Sequence, residues 1–139
     1  MPAPGWVLDA SVAVKLVVAE EGSDRALGAL RADLAAPALL TVECASVLWK
    51  MTRRGIMAPG IAAVCLADLA RLPVRVLADG DLLGGALDRA LRHGHSVYDG
   101  LYLQASALTG WPLLTDDRRL ARLADDGASV TLLADLPAA

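Results

Sequence analysis

Five acidic side chains occupy positions where an alternating strand–helix chain has little structural use for them: Asp9, Glu43, Asp99, Asp116 and Asp117. Asp9 ends the apolar run WVLD, and Asp116 and Asp117 directly follow PLLT. Glu43 interrupts ALLTVECASVLW, a stretch in which an isolated buried carboxylate would be strongly disfavoured. Asp99 stands three residues after Ser96, at the opening of an apolar helix. Carboxylates gathered within ~5 Å of one another repel and must take up protons or hard cations. Oxygen ligands of this kind suit Mg²⁺ or Mn²⁺. A cation so held suits phosphoryl-transfer chemistry, where it activates water and stabilises developing charge.

Each acid also has a plainer reading. Asp9, Asp116 or Asp117 can cap the helix that follows it, because helix N-termini favour acids. Glu43 can belong to a solvated helix face that runs through Ser46 to Lys50 and the bases Arg53 and Arg54. Ser96 and Asp99 fit the spacing of a capping box. The combination is the informative feature, since each acid ends a strand, starts a helix or breaks an apolar helix.

The elements that must position these acids follow from periodicity and punctuation. Strands are expected at 6–9, 34–36, 74–77, 112–115 and 129–133. Helices are expected at 11–20, 23–33, about 37–54, 59–71, 80–93, 96–109 and 117–125, with Pro37 in the first turn of the third and Gly55 as its stop. The tail from Ala134 to Ala139 reads as loose. Short apolar strands alternating with helices imply a mainly parallel sheet covered on both faces. In such sheets ligands bind beyond the carboxyl ends of the strands, where Asp9, Asp116 and Asp117 lie.

Composition sets the bounds. The 139 residues suit one domain, 1–139, and 55% are hydrophobic, too many for a disordered chain. Aromatics are 4%, with no Phe, so the core must be aliphatic. Lys15, Glu43 and Asp68 cut the most apolar stretches short of a membrane span. Met1 to Gly5 has no basic region, and Asp9 arrives too early for a signal sequence, so a cytoplasmic protein is expected. Cys44 and Cys65 read as buried, reduced thiols. The net charge of −3 is unusual for a nucleic-acid enzyme, but setting the five acids aside leaves 13 basic against 11 acidic side chains.

VLDASV (7–12), VECASVLWK (42–50), VYDGLYLQAS (97–106) and LLTDDRRL (113–120) resemble, in order, the four acidic motifs of PIN domains, and most closely the VapC toxin branch of type II toxin–antitoxin systems. The resemblance covers nearly the whole chain. It matches Asp9 to the first acid, Glu43 to the helical Glu, Asp99 to the third acid and Asp117 to the last. Asp116 takes a variable place between motif positions, as a fifth, auxiliary acid. Ser11 matches the family's small hydroxyl near the first acid, and Thr115 the residue that orients the last. The resemblance implies a three-layer α/β/α fold around a five-stranded, mainly parallel sheet. It also implies homodimerisation, Mg²⁺- or Mn²⁺-dependent endonucleolytic cleavage of RNA, and inhibition by a VapB-like antitoxin whose tail crosses an apolar groove.

On this basis Asp9, Asp99 and Asp117, with Asp116 as auxiliary, are the metal-ligand candidates, and Glu43 holds the attacking water. Lys15, Lys50, Arg53, Arg118 and Arg119 are candidates for the RNA backbone. His93 reads as a helix C-terminal residue favoured by the dipole. Trp6, Trp49 and Trp111 read as core or dimer packing. The sequence has no Gly-x-Ser-x-Gly nucleophile elbow and no phosphate-binding glycine loop. Two other functions fit the same architecture: a receiver-like phospho-acceptor, and a PIN-like interaction module without activity. The first lacks the expected Lys after the PLLT strand, and the full acid set argues against the second.

Overall fold

The computed structural model describes residues 5–125 and 127–138. Five strands, β1 (Trp6–Leu8), β2 (Leu34–Pro37), β3 (Val74–Leu77), β4 (Leu113–Thr115) and β5 (Val130–Leu132), form one sheet in the order β3-β2-β1-β4-β5. Every neighbouring pair is parallel. The helices are α1 (Ala10–Ala13), α2 (Ser23–Gly28), α3 (Leu39–Arg53), α4 (Pro59–Leu69), α5 (Asp79–His93), α6 (Val97–Thr109) and α7 (Arg118–Ala121).

A parallel sheet must be covered on both faces, and successive strand residues point to opposite sides. Val7 and Leu113 enter one apolar cluster with Leu48, Leu82, Leu101 and Leu103 from α3, α5 and α6. Their neighbours Leu8 and Leu114 enter a second cluster with Val12, Ala26, Ala29 and Leu133. All four strand residues are fully buried. The result is the three-layer α/β/α arrangement expected from the alternation.

Helix α6 packs directly on the backbone of α5. A Cβ at Gly100 would fall 2.5 Å from the carbonyl oxygen of Ala86, so α6 meets the α5 backbone where only glycine fits. Glycine also ends α3, α5 and α6: Gly55, Gly94 and Gly110 have φ of +74°, +74° and +73°, a conformation glycine adopts without penalty.

Four expectations are corrected by long-range contacts. Pro37 is the last residue of β2, paired in register with Leu77, rather than the first turn of a helix. The free amide of Leu39 at the start of α3 donates to Asp79 Oδ1 at 3.3 Å, a cap supplied from the start of α5. The helix expected over 11–20 is only α1 plus a 3₁₀ turn, Val14–Leu16. There Lys15 folds the chain back by donating to Glu20 Oε1 at 3.2 Å and the Glu21 carbonyl at 2.7 Å. The helix expected to reach 125 stops at Ala121, because Asp125 is held by the buried Arg89 and accepts from the amides of Gly127 and Ala128. The tail expected to be loose begins with a 3₁₀ turn, Leu133–Asp135, anchored by buried Leu133 and by Arg25 donating to the Ala134 carbonyl at 2.7 Å. Among the described residues, no helix is long and apolar enough to cross a membrane.

Candidate active site

In the strand order β3-β2-β1-β4-β5 the chain winds outward in opposite directions from β1 and β4. A crevice opens at such a switch point, beyond the carboxyl ends of the two strands. Asp9 leaves β1 and Asp116–Asp117 leave β4 at this place.

Asp9 is only 7% exposed and is held by three donors. Ser11 Oγ donates to its Oδ1 at 2.6 Å, the Val12 amide donates to the same oxygen at 3.3 Å, and Thr115 Oγ1 donates to Oδ2. The two hydroxyls also accept. Ser11 Oγ receives the Asp116 amide at 2.9 Å, and Thr115 Oγ1 receives the Asp117 amide at 3.0 Å. Each hydroxyl therefore ties the first acid to the turn that carries the last one. Burial pushes the Asp9 carboxyl up to about 6, against the three hydrogen bonds, which favour the anion; the charge of Asp117 adds to the rise.

Asp117 caps α7, accepting from the amides of Arg119 at 2.8 Å and Leu120 at 3.4 Å. Asp99 stands in the first turn of α6, whose cap Ser96 accepts the Asp99 amide at 3.0 Å. Arg119 joins the two acids. Its guanidinium makes a two-pronged contact with Asp99 at 2.8 and 3.2 Å and reaches Asp117 Oδ2 at 3.3 Å. Asp9 and Asp117 thus cap helices as well as meeting at the crevice, whereas at Asp99 the cap is Ser96 and the carboxylate is left to Arg119.

Glu43 is half-buried on α3. Its charge and that of Asp9 both act on the buried Cys44 thiol, which burial above all pushes up to about 12. The same two acids act on the phenol of Tyr102, raised well above its usual range first by burial and then by Glu43. Asp116 is engaged differently: its Oδ2 lies 3.5 Å from Lys15 Nζ, beside a cleft that Glu21 and Arg25 also line.

The basic candidates separate in the same way. Lys50, Arg53 and Arg118 are exposed, and Arg53 lies over the Trp49 ring at 5.2 Å. Trp49 is 58% exposed, not core. Lys15 is bound to Glu20 and Asp116, and Arg119 to the acids themselves. Sequence reasoning did not find the pairing of Arg119, whose main partner Asp99 lies 20 residues away on another helix. Both cysteines are free and buried, as expected, and His93 is the last residue of α5.

Among the described residues, no three His, Cys, Asp or Glu side chains stand close enough to hold a metal ion. The donors nevertheless fit a hard divalent cation. They are all oxygen, buried Asp9 has no basic partner among the described residues, and Asp99 and Asp117 already share one cation, the Arg119 guanidinium. A metal ion held by these two carboxylates would compete with Arg119 for them. An exposed ion pair of this sort contributes at most about 1 kcal/mol, so Arg119→Gln is expected to tighten Mn²⁺ binding ~5-fold in calorimetry of the metal-free protein.

The PIN domain model matches residues 6–126. Ribonuclease VapC3 of Pyrobaculum aerophilum is 36% identical over 119 residues, 83% of this chain and 91% of its own length. Among solved structures, PAE2754 from Pyrobaculum aerophilum superposes with a TM-score of 0.72 at 26% identity, covering 94% of this chain and 85% of its own. DNA-bound VapBC from Salmonella typhimurium superposes with a TM-score of 0.65 at 17% identity, covering 94% of this chain and 99% of its own. With most of its length matched by the family model and by a relative above 30% identity, this chain belongs to the PIN domain family.

Proposed function

We propose that residues 1–139 form one PIN-like domain that acts as a divalent-metal-dependent endoribonuclease, the toxin of a type II toxin–antitoxin pair. The observation that carries this reading is the convergence at the β1–β4 crevice. Asp9 is tied through Ser11 and Thr115 to the Asp116–Asp117 turn, and Arg119 links Asp117 to Asp99. The relatedness to Ribonuclease VapC3 supports RNA as the substrate.

Asp9, Asp99 and Asp117 would hold Mg²⁺ or Mn²⁺, with Asp116 as an auxiliary acid. When bound, the cation lowers the cost of deprotonating water and neutralises charge that builds on the phosphate. Ser11 and Thr115 keep both oxygens of Asp9 in fixed directions. Glu43 holds the water that attacks phosphorus in line. Lys50, Arg53 and Arg118 offer exposed positive charge to the RNA backbone, and Lys15 and Arg119 join them once their acidic partners are taken up elsewhere.

A VapB-like antitoxin is the proposed partner, as the VapBC assembly from Salmonella typhimurium suggests. The apolar groove between α3 and α4, lined by Leu48, Trp49, Pro59, Ala62 and Leu66, suits its tail. Homodimerisation belongs to the same proposal, and the exposed Leu83, Leu87 and Leu91 of α5 give it an apolar face. The site of action would be the cytoplasm.

The test is cleavage of single-stranded RNA by the purified protein. EDTA is expected to abolish it, added Mg²⁺ or Mn²⁺ to restore it, and the products to carry 5′-phosphate and 3′-hydroxyl ends. Cleavage that persists unchanged in EDTA overturns the mechanism.

A further inference from the structure

Beside the acids lies a cleft of about 470 Å³, the size of a small-molecule site. The cleft and the crevice share one residue. Asp116 lines the cleft, and its amide donates at 2.9 Å to Ser11 Oγ, which itself donates to Asp9 Oδ1 at 2.6 Å. A strand whose scissile phosphate lies at Asp9 therefore has this cleft as its neighbouring space.

Two cations line it, Lys15 and Arg25. Lys15 is committed. Its side chain is 10% exposed, and its Nζ holds Glu20 Oε1 at 3.2 Å, the Glu21 carbonyl at 2.7 Å and Asp116 Oδ2 at 3.5 Å. Arg25 is not. Half-buried on α2, it donates Nη1 to the Ala134 carbonyl at 2.7 Å and has no acidic partner among the described residues. A carbonyl fixes a guanidinium without neutralising it and leaves most of its N–H groups for a ligand. Glu21, the other acid of the lining, is exposed, so water and salt screen its charge. Gly22 and Leu133 supply an apolar stretch. A pinned, unneutralised guanidinium matches a phosphodiester, which its planar fork takes by two N–H bonds.

We infer that this cleft is a subsite for the nucleotide next to the cut, with Arg25 holding its phosphodiester and Gly22 and Leu133 facing its sugar. The inference rests on the nuclease reading above and deepens it. A positive groove that tracks the backbone is how single strands are held without regard to sequence. A contact away from the reacting bond is made equally in the ground state and the transition state, so it acts on KM and leaves kcat alone.

The test uses a single-stranded RNA oligonucleotide that the parent cuts at a mapped bond. It is made in native form and with one uncharged methylphosphonate linkage, placed in turn at each position flanking the cut; the adjoining ribose carries 2′-O-methyl in every version. In the parent, the neutral linkage at one flanking position is expected to raise KM ~10-fold with kcat within about twofold, the effect of one charge-assisted contact. Arg25→Gln should raise KM ~10-fold on the native strand and lose nothing further on the neutral one. Arg25→Lys, which keeps the charge without the fork, should raise it only ~3-fold. In the Asp9→Asn background, Arg25→Gln should lower the slope of log affinity against log salt by ~0.7. Each protein is compared with itself on two strands, so any stability lost with the Ala134 bond cancels. An unchanged KM in Arg25→Gln, or a neutral linkage that costs the variant as much as the parent at every position, overturns the inference while the nuclease reading stands. So does a rise in melting temperature with inorganic phosphate alone and no such coupling, which would make the cleft a site for free anions. If the parent cuts no RNA, the nuclease reading fails and this inference falls with it.

Discussion

Asp9→Asn is expected to lower RNA cleavage on the order of 10³-fold and, in the metal-free protein at neutral pH, to raise the melting temperature. The two effects have one origin. Asp9 is 7% exposed, and its carboxyl lies at about 6 against 3.8 for the free group. The folded state therefore binds a proton more tightly than the unfolded chain does. The stability carried by that proton is fully present below pH ~4 and is lost as pH rises through about 6. A difference of roughly two units corresponds to about 3 kcal/mol, withheld from the metal-free fold at pH 7 and above. Asparagine keeps the shape without the charge, so melts in EDTA should show a pH-dependent fall between about pH 4 and 7 for the parent and little of it for the variant. Added Mn²⁺ should then stabilise the parent more than the variant. If the variant melts below the parent at pH 7.5 in EDTA, Asp9 is not the strained anion described here.

Gly100→Ala has the largest expected effect on the fold. The added Cβ would fall 2.5 Å from the Ala86 carbonyl oxygen and 3.1 Å from both its carbonyl carbon and its Cα, all backbone atoms of α5. Nothing there is a flexible side-chain end that can swing away, so the helices must part. Overpacking of this kind costs about 3 kcal/mol, or roughly 10 °C in melting temperature for a chain of this size. Activity should fall more than stability requires, because Asp99 is the preceding residue and moves with the helix. Gly84 on α5 provides the contrast. A Cβ there meets nothing within 4 Å, so Gly84→Ala should stabilise the helix by about 0.5–1 kcal/mol. Thermal melts of the two variants side by side check both statements; equal effects would mean that α5 and α6 are not locked by that contact.

Much of this architecture was readable from local chemistry. VRVL forms a strand over the expected residues, Ser96 caps the helix that Gly110 ends, and Gly55 ends α3. These signals lie within a few residues of the structure they dictate. The misreadings share the opposite property. A proline suits the first turn of a helix, as the sequence reading placed Pro37, and only its pairing with β3 decides that it belongs to a strand. The cap of α3 comes from Asp79, the end of α7 is set by Arg89 reaching Asp125, and the turn after α1 is drawn in by Lys15. The site divides along the same line. That Asp9 and Asp117 lie at strand ends was legible, as was the break that Glu43 makes in an apolar helix. The pairing of Arg119 with Asp99 and Asp117 depends on how α6 and α7 meet, which no local pattern encodes.

The bond between Thr115 and Asp9 spans 106 positions of chain. Contacts of such separation form late, because the intervening segment must close before they contribute. Synthesis delivers ~5–20 residues per second, so Asp9 leaves the ribosome roughly 5–20 s before its partner exists. Over that interval the first acid has Ser11 but neither the Thr115 hydroxyl that fixes its second oxygen nor the last acid beside it. An RNA-cutting enzyme wired in this way is harmless to the RNA-rich machine that builds it until its final stretch has emerged, and that delay gives an inhibitor time to meet the chain before it can cut.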